Sequence, residues 1–140
     1  MSTEASQEAE AAERTSGASL DPTAFRGAPQ DARARSIDLR PLRTLLDRIE
    51  ESYHPEQIWL FGSRARGDAR PTSDWDVFVV VPDGTDERAL DPRVAWRLQR
   101  GSGVYADVIP CRASEFIDDR ATVNTLAYII ANEGVLIYER

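Results

Sequence analysis

The apolar run within residues 74–81 limits what this chain can fold into more than any other part of the sequence. Four valines and a phenylalanine fill positions 77–81, so a strand formed there has apolar side chains on both faces. Such a strand must be covered on both faces and flanked by other strands. We therefore expect the chain to build a β-sheet around this run.

The segments on either side predict the rest of the sheet and its helices. Asp38 can cap a helix with Pro41 in its first turn, and apolar residues at helical spacing continue the helix until Pro55. The β-branched and aromatic run 58–61 predicts a strand. The later patterns predict a helix opened by Asp91 and Pro92, a strand over 104–110, a short helix opened by Ser114, a helix opened by Thr122 with Val123, Leu126, Ala127 and Ile130 inward, and a strand over 135–138. This order is typical of an α+β fold, a small mixed β-sheet with helices mostly on one face.

Composition divides the 140 residues into two parts. Residues 1–36 are rich in Ala, Ser, Glu, Gly and Pro, and after Met1 their large apolar side chains are Leu20 and Phe25. Such a segment cannot bury enough apolar surface to fold alone, so we expect a disordered N-terminal tail. Residues 37–140 are predicted to form one domain.

Charge and cysteine content exclude several classes of protein. The net charge is −7, from 24 acidic and 17 basic residues, and every basic residue is arginine. An acidic chain lacks the basic face that neutralises phosphates, so no direct nucleic-acid binding is expected, and a lysine nucleophile is excluded. The longest uncharged stretch, 121–132, is too short to span a membrane. The single cysteine, Cys111, cannot form an internal disulfide, which makes the cytoplasm the expected compartment.

A Gly-Ser pair follows the first predicted strand. Gly62 lets the backbone approach a ligand closely because it has no Cβ, and Ser63 offers a hydroxyl and an N–H group where a helix or turn begins. Arg64 and Arg66 can add positive charge for the same phosphates. On its own, a Gly-Ser pair with arginines is more typical of a solvated turn.

Two carboxylates stand two residues apart where the valine-rich strand begins. Asp74 and Asp76 would point to one face of the strand, about 6.5–7 Å apart, and Trp75 to the other face, where it packs. That spacing suits a pair of divalent ions bound to a triphosphate. Aspartates are also common where a loop meets a strand, so this pair alone is weak evidence.

A third carboxylate, Asp107, has apolar neighbours on both sides within a predicted strand. A carboxylate in mid-strand must lose its water unless it is paired or binds a metal, which favours a functional role. If this strand lies beside the valine-rich one, Asp107 joins Asp74 and Asp76 on one face. The alternative, with Asp107 on the reverse face, would end the case for a shared site.

Together, Gly62-Ser63, ten intervening residues, Asp74-Trp75-Asp76 and the later Asp107 resemble the signature of the polymerase-beta-type nucleotidyltransferase superfamily. Over about residues 38–140 the chain is similar to its minimal nucleotidyltransferase (MNT) branch. The resemblance implies the polymerase-beta-type nucleotidyltransferase fold, and it implies that Ser63 binds the triphosphate. It also implies that Asp74 and Asp76 bind two Mg²⁺ ions, and that Asp107 completes the catalytic metal site and helps to activate the attacking hydroxyl.

The same resemblance implies a reaction and a partner. The reaction is transfer of a nucleoside monophosphate, AMP from ATP by family habit, onto a hydroxyl without a covalent enzyme intermediate. Members of the branch often act as antitoxins of HEPN-type ribonuclease toxins, so a tyrosine of such a toxin is the expected acceptor. Two alternatives stay open, a non-catalytic antitoxin that masks the toxin and an aminoglycoside-type transferase acting on a small molecule.

Overall fold

The protein is described by a computed structural model over residues 36–140. The tail predicted for residues 1–36 therefore lies outside the described residues, apart from Ser36. The elements are a 3₁₀ turn at Arg40–Leu42, α1 (Arg43–Tyr53), β1 (Gln57–Phe61), α2 (Ser63–Arg66), β2 (Trp75–Val81), a 3₁₀ turn at Glu87–Leu90, α3 (Pro92–Gln99), β3 (Ala106–Arg112), α4 (Ala113–Asp119), α5 (Leu126–Glu133) and β4 (Val135–Glu139).

The described residues form one four-stranded sheet in the order β3-β2-β1-β4. β2 pairs with β3 in parallel, and β1 pairs antiparallel with both β2 and β4, so the sheet is mixed. β2 has a strand on each side, and Val77, Val79 and Val81 are fully buried. The predicted α+β fold with a small mixed sheet is confirmed.

Apolar clusters cover both faces of the sheet. Alternate residues of β2 divide between them, with Trp75 in the larger cluster and Phe78 in the smaller one. The larger cluster receives side chains from α1, α2, α3 and both 3₁₀ turns, whereas α4 and α5 supply the smaller one. Within residues 36–140, most of the helical packing is therefore on one face, and the second face is partly covered.

The first helical segment follows its predicted apolar stripe. Leu45, Ile49 and Tyr53 are buried on α1, and a 3₁₀ turn precedes the helix. Asp38 accepts a hydrogen bond from the N–H of Arg40, the first residue of this turn, at 3.0 Å, but the N-cap residue is Leu39, so the predicted cap by Asp38 is wrong. α1 ends at Tyr53 because His54 adopts a left-handed conformation, with φ of 48°, just before Pro55.

Several predicted boundaries are wrong, and β2 begins at Trp75 rather than at Asp74. β3 begins at Ala106 rather than at residue 104, because Gly101 and Gly103 adopt positive φ angles and bend the chain. It runs to Arg112 through Pro110, which is tolerated because β3 is at the edge of the sheet.

The helix predicted from Thr122 begins at Leu126. Asn124 interrupts it with φ of 75°, and the Thr125 hydroxyl accepts from the Tyr128 N–H at 3.1 Å. Ala127 and Ile130 are buried as predicted, but Val123 is 62% exposed and Leu126 is partly exposed. Neither α5 nor any other helix within residues 36–140 has the length and apolar character needed to cross a membrane.

Tyr53 generates a prediction on stability. Its hydroxyl is buried without a hydrogen-bond partner among the described residues, and burial raises the pKa of Tyr53 to about 12. Tyr53→Phe should raise the free energy of unfolding by about 1–2 kcal/mol at neutral pH, because the unsatisfied hydroxyl is removed. Urea denaturation measures this change.

The pH dependence has a defined sign. Above pH ~10 the unfolded chain ionises its tyrosines, whereas folded Tyr53 stays protonated up to about pH 12. The wild-type protein should therefore lose stability across this window, and Tyr53→Phe should lose less. Tyr138→Phe is the matched control, because it removes the hydroxyl bond to Glu50 and should be destabilising. A destabilised Tyr53→Phe would contradict the analysis.

Candidate active site

Three chain segments meet at one end of the sheet. β1 ends at Phe61, β2 begins at Trp75 and β3 begins at Ala106, and the strand pairing brings these ends side by side. Phe61 pairs with Asp76, which in turn pairs with Asp107. The Gly-Ser pair and the carboxylates, which are far apart in sequence, therefore lie next to each other.

Asp76 and Asp107 are directly opposite each other in the parallel β2–β3 pair. Residues that pair in this way point to the same face of the sheet. The structure therefore rules out Asp107 on the reverse face. However, Asp107 is exposed at the second position of an edge strand, so the expectation that it is desolvated in mid-strand is wrong. The side chain of Asp107 is therefore open to solvent.

The carboxylates act on one another electrostatically. Burial raises the pKa of Asp76, and the negative charges of Asp107 and Asp74 raise it further. The guanidinium of Arg66 opposes this shift. Asp74, which precedes β2, is therefore close enough to Asp76 to repel it. The three predicted carboxylates share one acidic neighbourhood, with Asp76 at its centre.

This neighbourhood suits a divalent cation by its chemistry. Its donors are carboxylate oxygens, the ligands that Mg²⁺ prefers, and a cation would relieve the repulsion that raises the pKa of Asp76. Within residues 36–140, no three His, Cys, Asp or Glu side chains are already arranged around one possible metal position. The roles of Asp74, Asp76 and Asp107 as ligands of two Mg²⁺ ions therefore stay predictions.

Gly62 brings the backbone against the Asp76 carboxylate. Its φ of 73° and ψ of −157° lie in a region that only glycine adopts readily. A Cβ at this position would overlap Oδ2 of Asp76. The N–H groups of Ala65 and Arg66 bond to the Gly62 carbonyl at 3.1 and 3.0 Å, so Ser63 opens the single turn of α2 directly beside the carboxylate.

The two predicted phosphate-binding arginines are placed differently. The positive charge of Arg66 lowers the pKa of Asp76, and its Nε pairs with Oδ2 of Asp68 at 3.2 Å on the surface. Arg64 instead donates from Nη2 to two loop carbonyls and stacks on Trp75. Trp75 is buried, as predicted. Nucleotide binding by Gly62, Ser63, Arg64 and Arg66 stays a prediction.

Sequence reasoning missed Tyr105 and the contact between Arg64 and Trp75. Tyr105 lies two residues before Asp107, is 78% exposed, and accepts the Trp75 N–H on its backbone oxygen at 2.9 Å. The position of this aromatic residue, two residues before a candidate carboxylate, could have indicated that it lies near the site. Nothing in the sequence indicated that the Arg64 side chain would turn toward Trp75.

A cavity of about 400 Å³ lies at the other end of the sheet. Its lining includes Gln57, Val80 and Glu139, which are far along their strands from the carboxylate end. None of the predicted site residues lines it. The acidic neighbourhood therefore lies outside this cavity.

A family model described as a nucleotidyltransferase domain matches residues 42–136. The chain therefore belongs to the nucleotidyltransferase domain family, and the resemblance inferred from the motifs is confirmed at this level. The matched stretch includes Gly62, Ser63 and all three carboxylates.

Two solved structures are similar to this chain. A protein from Sulfolobus solfataricus, provisionally assigned as a nucleotidyltransferase, is 24% identical over 73% of this chain and 80% of that chain, with a TM-score of 0.50. This likeness shows the fold alone. A toxin–antitoxin structure with AMP-PNP is 18% identical over 70% of this chain and 73% of that chain, with a TM-score of 0.49. No curated protein matches the chain.

The close approach at Gly62 predicts the effect of a substitution. Gly62→Ala should lower the free energy of unfolding by about 1–3 kcal/mol through backbone strain, and should also displace the Asp76 carboxylate. Gly67→Ala is the matched control, because Gly67 has φ of 83° but open space around a Cβ. Both variants should lose stability in thermal denaturation, but Gly62→Ala alone should lose divalent-cation binding. Equal cation binding in both would contradict the geometry.

The raised pKa of Asp76 predicts how stability depends on pH. The folded state holds the Asp76 proton more tightly than the unfolded state, so ionised Asp76 lowers stability at neutral pH. Without divalent cations, Asp76→Asn should therefore be more stable than the wild-type protein near neutral pH. The difference should vanish below the ordinary aspartate pKa of about 3.9, where both states are protonated. Urea denaturation of both proteins near neutral pH and below the aspartate pKa measures this difference in the free energy of unfolding. If Asp76→Asn were less stable than the wild-type protein near neutral pH, the repulsion between the carboxylates would be contradicted.

Proposed function

We propose that this domain transfers a nucleoside monophosphate from a nucleoside triphosphate to a hydroxyl group. The observation that carries the proposal is the pairing of Asp76 with Asp107 beside the backbone cradle at Gly62. Membership of the nucleotidyltransferase domain family supports it. A domain that only binds a partner has no need for repelling carboxylates held on one face.

The residues divide the reaction between them. The backbone at Gly62 and Ser63 binds the triphosphate, and Arg66 adds positive charge. Asp74, Asp76 and Asp107 would hold two Mg²⁺ ions, which supply charge neutralisation and lower the pKa of the acceptor hydroxyl. As the acceptor oxygen forms a bond to the α-phosphorus, its proton passes by way of the Asp107 carboxylate to solvent. The bond between the α-phosphorus and the oxygen that bridges it to the β-phosphate breaks, and pyrophosphate leaves.

The strand order indicates the direction from which the acceptor enters. The cradle follows β1, on one side of β2, and Asp107 stands on β3, on the other side. In-line attack requires the acceptor to lie opposite the leaving pyrophosphate. If the pyrophosphate lies against the cradle, the acceptor lies toward β3, where Asp107 is exposed.

An acceptor site open to solvent favours a macromolecular acceptor. We propose that the donor is ATP and that the acceptor is a tyrosine of a HEPN-type toxin, which makes this domain an antitoxin. The single cysteine favours the cytoplasm as the place of this reaction. Masking without catalysis is the second candidate, because Ile117, Val123 and Ile129 are exposed around α4 and α5 and could contact a partner.

Transfer to a toxin can be tested by intact-mass measurement. The full chain is incubated with ATP, Mg²⁺ and a purified HEPN-type toxin, and we expect the toxin to gain the mass of one or more AMP groups. Asp76→Asn should lower the rate of AMP transfer about 100-fold or more, because a charge that contributes to stabilising the transition state is lost. Asp118→Asn, on the exposed face of α4, should match the wild-type rate.

The outcomes separate the candidates. Toxin inhibition without any gain of mass would favour masking. AMP transfer to an aminoglycoside but not to the toxin would favour the small-molecule alternative. Full activity of Asp76→Asn would overturn the assignment of the site.

A further inference from the structure

Arg64 is adjacent to the Gly62-Ser63 cradle in sequence, yet its guanidinium lies on the other side of the sheet from the carboxylates. Its Cζ atom is 4.4 Å from the centroid of the Trp75 ring. Trp75 and Asp76 are consecutive in β2, so their side chains point to opposite faces. Arg64 therefore contacts the face that Trp75 occupies, and the Asp76 carboxylate lies on the opposite face.

The same guanidinium holds the loop that leads into β2. Its Nη2 donates to the carbonyl oxygens of Ser73 at 2.7 Å and Pro71 at 3.2 Å. Ser73 immediately precedes Asp74. The loop is closed further by two bonds between Arg70 and Ser73, each of 2.9 Å, one from each backbone N–H. Arg64 thus connects α2 to the backbone just before Asp74.

These contacts restrict the guanidinium itself. Nε of Arg64 is buried and has no hydrogen-bond partner among the described residues. A buried N–H without a partner persists only where the other contacts of the guanidinium are strong, and bonds from a charged donor and stacking on tryptophan are of that kind. The position of the group is therefore set by the loop and by Trp75.

We infer that Arg64 is a positioning residue, which fixes the loop carbonyls before Asp74 and so holds the Asp74 carboxylate beside Asp76. The purpose of holding Asp74 in place rests on the proposed function. The contacts of Arg64 with the loop and with Trp75 are independent of it. Arg64 then positions a carboxylate of the proposed metal site and does not bind the triphosphate, although it follows the Gly-Ser pair.

Arg66 provides the matched comparison. It belongs to the same turn, its charge reaches Asp76, and its side chain is more than half exposed. Arg66 makes none of the loop contacts described for Arg64, and its partner is Asp68. Replacing each arginine by methionine removes the same charge from the same turn while keeping an unbranched side chain.

Hydrogen exchange of the full chain tests the positioning directly, without nucleotide or metal. In Arg64→Met, amide exchange within residues 68–75 should become about tenfold faster or more, because the carbonyls of Pro71 and Ser73 lose their donor. Arg66→Met should exchange in this segment like the wild-type protein. Equal exchange in the wild-type protein and Arg64→Met would overturn the inference.

Kinetics distinguish a positioning residue from a nucleotide ligand. Arg64→Met should raise the Mg²⁺ concentration for half-maximal transfer about tenfold and leave KM for ATP at saturating Mg²⁺ unchanged. Arg66→Met should raise KM for ATP instead. If Arg64→Met raises KM for ATP and leaves the Mg²⁺ dependence unchanged, Arg64 is a nucleotide ligand and the inference is wrong.

A second variant keeps the test valid if Arg64→Met does not fold. Arg64→Lys keeps the charge and the stem but lacks the planar face that stacks on Trp75, so it should show the same changes to a smaller degree. Wild-type exchange and Mg²⁺ dependence in Arg64→Lys would contradict the stacked geometry. If the wild-type protein transfers no nucleotide, the proposed function fails, while hydrogen exchange still decides the role of Arg64.

Discussion

The parallel pairing of β2 with β3 is the constraint on which the rest of the site depends. It sets Asp76 directly opposite Asp107, and the repulsion between carboxylates contributes to the raised pKa of Asp76. A fold selected for stability alone gains nothing from such a pair. The apolar packing of β2 on both faces offsets this repulsion, since the strand that carries Asp76 at its second position continues into Val77 and Val79, which are fully buried.

The cradle and its neighbouring loop are organised around that strand. Gly62 closes the distance between the end of β1 and the Asp76 carboxylate, which no residue with a Cβ could do without displacing it. On the reverse face, Trp75 anchors Arg64, which holds the loop carbonyls that precede Asp74. Opposite faces of one strand thus carry different groups: one face carries the Asp76 carboxylate, and the other carries the indole ring on which Arg64 stacks.

Much of this arrangement could be predicted from local patterns. The alternation and turn residues predicted the mixed sheet, and the strand pairing brings the residues of the motif Gly62-Ser63 with Asp74-Trp75-Asp76 together, while their role as a site stays a prediction. The wrong expectations came from effects that the pattern of apolar residues does not reveal. Asp107 was expected to be desolvated because its neighbours are apolar, but it is exposed because β3 is an edge strand. The helix predicted from Thr122 begins later because Asn124 takes a left-handed conformation that periodicity does not reveal.

The sequence by itself determined which residue types were available and at what spacing. It has a glycine where the backbone must approach a carboxylate, aspartates two residues apart where a strand begins, and arginine as its only long basic side chain. Spacing along the chain determines the face of a strand, because side chains alternate with a period of two. Only the tertiary structure decided which strands are neighbours, and hence that residue 107 stands beside residue 76. It also decided that Arg64 stacks on Trp75 while the charge of Arg66 acts on Asp76 on the opposite face of β2, because the fold brings the start of β2 against α2.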